Sequence, residues 1–165
     1  MSFRIEDVDR ILFDFDGVLT DNKVFVDQNG MESVVCSRAD GLAFDVLKKM
    51  NVEISIFSTE TNPVVAERAK KLGVNVIQSI SDKRVSLTTL AEEFNWNLSR
   101  TVYVGNDLND FHAMKLCGIT FCPSDAHEEI KKISTKVLQE KGGNGVVREL
   151  LESVYRINFL NVIEG

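Results

Sequence analysis

The stretch ILFDFDGVLTDN, Ile11 to Asn22, carries an apolar run straight into two aspartates, Asp14 and Asp16, two residues apart. Ile11-Leu12-Phe13 has the composition of a strand bound for a hydrophobic core. One ionised carboxylate at the edge of a core is costly, and two close together also repel. Such a stretch suits a fold in which a central strand ends at a site that supplies counter-charge.

The rest of the chain repeats the strand and surrounds it with helices. Short apolar runs without clean alternation occur at RILFDF (10–15), VEISIF (52–57), VNVIQ (74–78), TVYVG (101–105) and GITFC (118–122). That pattern is expected of parallel strands covered on both faces. Helical patterns lie between and after them: ADGLAFDVLKKM, NPVVAERAKKLG, SDKRVSLTTLAEEF, DAHEEIKKI and GVVRELLESVY. In the second, Asn62 reads as N-cap, Pro63 as the first helical residue and Gly73 as the stop, with Val65, Ala69 and Leu72 as the buried stripe. The third is expected to start on Ser81 and to bury Leu87, Leu90, Ala91 and Phe94. The alternation predicts an α/β fold, a doubly wound, Rossmann-like, mostly parallel sheet flanked by helices, in a single domain over 1–165. Ligands of such sheets bind at the C-terminal strand ends, where the acidic residues fall.

One segment, KVFVDQNGMESVVC (23–36), breaks the alternation. Two β-rich runs flank Asn29-Gly30, a strong hairpin signal. Val24 and Val26 would share one face and Phe25 the other. A lone hairpin cannot bury both faces, so the insertion is expected to pack against another subunit, with folding back on its own domain as the alternative.

Composition narrows the partners. The chain has 165 residues and a net charge of −6, so there is no basic footprint for nucleic acid or an anionic membrane. No apolar run approaches a membrane span, and MSFRIEDVDR has no apolar leader segment. Three cysteines, Cys36, Cys117 and Cys122, form no paired motif and read as reduced thiols of a cytoplasmic protein.

The carboxylates define the chemistry. GNDLND adds Asp107 and Asp110 after another central strand, so four carboxylates are expected at one sheet edge. A hard divalent cation removes their repulsion, and oxygen-only ligands favour magnesium over zinc. Ser58 and Thr59 end a third strand where an anion could sit. Lys83 stands in the first turn of a helix, against the dipole, a cost of a few tenths of a kcal/mol that an anion would offset. These are parts for phosphoryl transfer: a carboxylate nucleophile, a cation and a lysine on the phosphate oxygens, and a second carboxylic acid for the leaving group. A phosphoacceptor signalling module shares the strand-end aspartate, hydroxyl and lysine, but it has no need of Asp16.

DFDGVLTDN, FST, the lysine of SDK, and GNDLND, in that order, resemble the four motifs of the haloacid dehalogenase superfamily of phosphohydrolases. The resemblance implies that Asp14 is the nucleophile and a magnesium ligand. It implies that Asp16 is the general acid/base with its backbone carbonyl on the metal, that Ser58 holds the phosphate, and that Lys83 binds phosphate and nucleophile. The last motif departs from the commoner GDDxxD: Asn106 stands at the usual metal-binding aspartate, so either Asn106 or Asp107 is the ligand, with Asp110 acting through water. The spans 22–57 and 59–83 leave no room for a cap domain. GVLTDN, SRADG, STETNPVVAERAKKLG and GGNGVVRELLE resemble the small capless branch that dephosphorylates octulosonate 8-phosphates and nonulosonate 9-phosphates. That branch implies a homotetramer with hairpins at the interface and a neighbour covering each site. Glu60 directly after the phosphate turn, Arg68 at the edge of its helix's buried stripe, and Arg148 in the last helix are candidates to meet a sugar acid, the arginines through its carboxylate. Arg38 and Asp40 border the pocket in this reading, or Asp40 caps its own helix. The alternatives are a phosphatase for another small sugar phosphate and a non-catalytic oligomerisation or regulatory partner of an acylneuraminate cytidylyltransferase.

Overall fold

A computed structural model describes residues 3–164; Met1, Ser2 and Gly165 of the expected 1–165 domain lie outside the described residues. Six parallel strands form one sheet: β1 (Arg10–Phe13), β4 (Glu53–Phe57), β5 (Asn75–Ile77), β6 (Thr101–Val104), β7 (Ile119–Cys122) and β8 (Lys136–Val137), in the order β5-β4-β1-β6-β7-β8. β1 is central, with Phe13 in register with Ile56 on one side and Val104 on the other. Its side chains point alternately to two cores. Ile11 and Phe13 join one cluster and Leu12 the other, and all three are fully buried. This is why the strand has no polar alternation.

Helices α1 (Arg38–Lys48), α2 (Val64–Leu72), α6 (Val146–Glu149) and α7 (Phe159–Glu164) cover the Phe13 face; α3 (Lys83–Glu93), α4 (Phe111–Met114) and α5 (Glu128–Ile133) cover the other. α6 runs on as a π-helical turn over Leu150–Val154. Gly73 closes α2 in the left-handed region, as the sequence predicts, but the helix begins one residue later than expected, at Val64 with Pro63 before it, and Asn62 Oδ1 accepts from the Val64 amide. α3 begins later than expected: Asp82, not Ser81, is its cap, accepting from the Val85 amide at 3.0 Å. Phe94 leaves the buried stripe because α3 ends at Glu93; it is 58% exposed and stacks on Trp96. Leu90 and Ala91 are half-buried rather than buried.

The hairpin forms from β2 (Phe25–Val26) and β3 (Glu32–Ser33), antiparallel, with Asp27 Oδ1 accepting from the Asn29 and Met31 amides in the turn. Its inner edge touches its own domain, with Asn62 Nδ2 donating to Glu32 at 3.0 Å and Val34 packed against the core, but Val24, Phe25, Val26, Met31 and Val35 are all exposed. Between β1 and β4 lie only this hairpin and α1, and between β4 and α3 only α2 and β5. No helix of the described residues is long and apolar enough to cross a membrane.

Asp40 is the buried carboxylate that ties the C-terminal segment to α1. Ser37 caps α1, which leaves Asp40 free to cap α6 instead, its Oδ1 accepting from Val147 N at 2.9 Å and Arg148 N at 3.1 Å. It caps a helix, as expected, but α6 rather than its own. Burial, opposed by those two amides, pushes its carboxyl up to about 6 from 3.8. Between those values the folded protein holds a proton that the unfolded chain has released. Stability from this group is therefore full below pH 3.8 and lost as pH rises through about 6, an effect of about 3 kcal/mol. Asp40→Asn keeps an acceptor and removes the titration. Urea denaturation at pH 4, 5.5 and 7 is expected to show the variant gaining on wild type by about that amount as pH rises. Parallel pH profiles would contradict the assignment.

Candidate active site

β1 delivers Asp14 to the C-terminal edge of the sheet, where its backbone amide still pairs with Val104 O. Its Oδ1 accepts from the Phe15 amide and lies 2.7 Å from Lys83 Nζ. Lys83, the first residue of α3, is buried there and lies 2.6 Å from Asp110 Oδ1 on its other side. The expected cost of a lysine in a first helical turn is thus offset by two carboxylates.

Asp110 is fully buried and its oxygens are taken. Tyr103 OH donates to Oδ1 at 2.9 Å, and the amides of Asn106 and Asp107 donate to Oδ2 at 2.9 and 3.3 Å. The four aspartates therefore do not meet as one group. Asp110 sits behind Lys83 and does not line the cleft; Asp107 is exposed at its rim, accepting from the Leu108 amide.

The charges do not balance within this cluster. Burial pulls the Lys83 ammonium down, but Asp14 and Asp110 outweigh it and hold it charged. For Asp14 the order is reversed: burial, then Asp110, push its carboxyl up to about 8 against the pull of Lys83. One ammonium between two buried carboxylates leaves a negative charge without a partner.

Asn106 supplies the place for a counter-charge. The inner end of its amide lies 2.9 Å from the Asp16 carbonyl oxygen and 3.1 Å from Asp14 Oδ2. With nitrogen inward the amide donates to both. With oxygen inward, three oxygens converge with no proton between them, an arrangement a hard cation resolves. Among the described residues no three His, Cys, Asp or Glu side chains gather for a metal. The donor set is instead one carboxylate, one backbone carbonyl and one amide, and it suits magnesium rather than a softer ion. Gly17 makes this approach possible: its φ is +86°, and a Cβ there would lie 2.6 Å from Asn106 Cγ.

Asp16 points past this group. Its carboxylate, 3.4 Å from Thr20 Oγ1, is raised by burial first and by Glu60 second, the direction a general acid needs. Thr20 Oγ1 also accepts from the Gly17 and Asn22 amides, which fixes the turn after β1. Ser58, at the end of β4, is buried; its Oγ accepts from the Glu60 amide, leaving the hydroxyl proton to donate.

These residues surround a cavity of about 320 Å³ lined by Asp14, Asp16, Asn22, Thr59, Asn106 and Asp107 with Leu108 and Asn109. A second cavity of about 300 Å³ shares Asp16 and Asn22 with it and continues toward the hairpin, lined by Lys23, Glu32, Glu60 and Asn62 among others. A wider depression of about 440 Å³ around Val8, Met50 and Arg100 lies at the opposite ends of the strands, away from all of this chemistry.

The sequence therefore brings together Asp14, Asp16, Thr59, Asn106 and Asp107 around the first cavity and Glu60 around the second. Arg68 and Arg148 line neither. Arg68 Nη2 donates to Ser37 O at 3.0 Å, its positive charge beside Asp40. Arg148 pairs with Glu152 at 2.7 Å and lies over the Phe159 ring. Tyr103, Asn22 and Asn109 were not legible as site residues. Tyr103 reads as one more apolar strand position, although a buried tyrosine hydroxyl needs a partner and thereby announces one.

Known proteins share this fold. A family model described as haloacid dehalogenase-like hydrolase matches residues 45–150. A hydrolase of that family from Streptomyces avermitilis, a solved structure, is 38% identical, with a TM-score of 0.88 over 92% of this chain and 87% of its own. The 3-deoxy-D-manno-octulosonate 8-phosphate phosphatase of Moraxella catarrhalis, solved with a magnesium ion, a phosphate ion and the octulosonate, is 29% identical. Its TM-score is 0.89 over 97% of this chain and 94% of its own. The enzyme of the same name from Haemophilus influenzae is 27% identical over 155 residues, 93% of this chain and 86% of its own.

Proposed function

Since the chain belongs to the haloacid dehalogenase-like hydrolases, we propose that it is a magnesium-dependent phosphomonoesterase acting on a phosphorylated eight- or nine-carbon sugar acid. The observation that carries the reading is Asp14, paired with Lys83 on one side, brought beside the Asp16 carbonyl and Asn106 at the wall of one cleft. A phosphatase from Moraxella catarrhalis with the same fold holds magnesium, phosphate and an octulosonate.

Asp14, the Asp16 carbonyl and Asn106 would hold the magnesium ion, with Asp107 at the rim. When bound, the ion neutralises Asp14 and the phosphate so that one anion can approach the other. Lys83 fixes Asp14 and shields the incoming phosphate. Ser58, its hydroxyl proton free, and Thr59 bind phosphate oxygens. A carboxylate oxygen of Asp14 attacks phosphorus, and the bond from phosphorus to the sugar oxygen breaks. Asp16 gives its proton to that leaving oxygen. The same carboxylate then takes a proton from water, which attacks phosphorus, and phosphate departs with Asp14 restored.

The second cavity receives the sugar, with Glu60 and Asn62 on its hydroxyls. In a homotetramer Arg148 would exchange Glu152 for the sugar acid's carboxylate in a neighbour's cleft, while Arg68 stays with the Ser37 carbonyl of its own chain. The exposed apolar residues on both faces of the hairpin support that assembly. Phe25→Asp is expected to shift the protein to a smaller species in light scattering; an unchanged size would contradict hairpin-mediated assembly. Three free thiols, Cys36, Cys117 and Cys122, suit a cytoplasmic setting.

The test is phosphate release from octulosonate 8-phosphate, nonulosonate 9-phosphates and hexose phosphates. A kcat/KM at least about 100-fold higher for a keto-acid phosphate is expected if a bidentate arginine reads the carboxylate. Equal turnover of hexose phosphates would overturn the sugar-acid assignment while leaving a phosphatase.

A further inference from the structure

The turn Lys141–Gly145 lies far along the chain from the aspartates, yet it rests against the loop that follows β1. Gly143 N donates to Val18 O at 3.0 Å. A Cβ at Gly142 would overlap the Gly17 carbonyl oxygen and lie 2.9 Å from Thr20 O; one at Gly143 would lie 2.5 Å from Asp21 N. These are backbone atoms, which cannot rotate out of the way. On the other side of Gly17 is Asn106, also without clearance. The Gly17 peptide is therefore held between the double glycine and the amide that faces Asp14 and the Asp16 carbonyl. The turn itself is anchored: Gly142 N donates to Asp125 Oδ1 at 2.9 Å, and the helix that follows is capped by Asp40.

We propose that Gly142 and Gly143, held by Asp125, are positioning residues that set the Asp16 carbonyl and Asn106 and so tune magnesium affinity without touching substrate. This rests on the magnesium reading above. A side chain at Gly142 must displace the Gly17 carbonyl, and Gly17 itself has no clearance from Asn106. Loss of the Asp125 acceptor loosens the same contact without adding bulk.

The test measures the magnesium dissociation constant by titration calorimetry on the intact protein, alongside kcat and KM. Gly142→Ala is expected to weaken magnesium binding about 10- to 100-fold, the range seen when groups behind metal ligands are removed. Asp125 is exposed, so Asp125→Ala should fold normally and weaken binding about 10-fold, at the low end of the same range. Asp125→Asn, which keeps an acceptor, is expected to restore wild-type affinity. Gly118→Ala controls for strain alone, since a Cβ there would overlap Ser99 far from the cleft. It is expected to lower stability and leave magnesium affinity unchanged. Wild-type affinity in folded Gly142→Ala and Asp125→Ala, or an equal loss in Gly118→Ala, would overturn the proposal. Wild-type protein that binds no magnesium would instead overturn the reading on which it rests.

Discussion

Asp14→Asn is expected to lower phosphate release by roughly four orders of magnitude or more, because it removes the atom that bonds to phosphorus. The fold should survive. Asparagine keeps an acceptor for the Phe15 amide and for Lys83, and it removes the carboxylate that burial and Asp110 push up to about 8. Thermal unfolding of the variant is therefore expected at or above the wild-type midpoint. Loss of activity with a folded protein isolates the nucleophile; a folded variant with more than about a tenth of wild-type kcat would remove Asp14 from that role.

Lys83→Met carries the largest combined effect. Methionine fills similar volume but leaves Asp14 and Asp110 buried on either side of an apolar chain. Stripping one partner from a buried charge cluster costs about 3–5 kcal/mol. The penalty has a pH signature, because Asp14, whose carboxyl burial already pushes up, can relieve it by taking up a proton. The variant should lose most stability at pH 7.5 and recover part of it at pH 5.5. In activity, losing the cation beside the phosphate should cost roughly 10³-fold in kcat. A Lys83→Met protein as stable as wild type at pH 7.5 would mean that the ammonium is not the counter-charge for both aspartates.

Much of this was legible in the sequence because it is local. The five longer strands announce themselves through runs such as Ile11-Leu12-Phe13, and the ends of those runs carry Asp14, Ser58 and Asn106. β8, two residues at Lys136–Val137, has no periodicity to read and exposed side chains. Phe94 fits the helical stripe by spacing, but the helix ends one residue earlier and the ring turns out to Trp96.

What was not legible depends on contacts far apart in sequence. Asp40 reads as a cap of its own helix, yet it serves amides 107 and 108 residues away. Arg68 sits on the correct helical face for a pocket, but the Ser37 carbonyl reaches it first. Asp110 looks like a metal ligand in GNDLND until Tyr103 and Lys83 are seen to occupy it. In each case the residue type and spacing are right, and the partner that decides its role comes from another element of the chain.

The most direct measurement is the mass of acid-quenched, protease-digested protein after mixing with magnesium and a sugar-acid phosphate. One phosphoryl group on the peptide carrying Asp14, released by hydroxylamine and absent without magnesium, is the predicted result. Steady turnover with no phosphoryl group on that peptide, or with one on any other residue, would contradict the account.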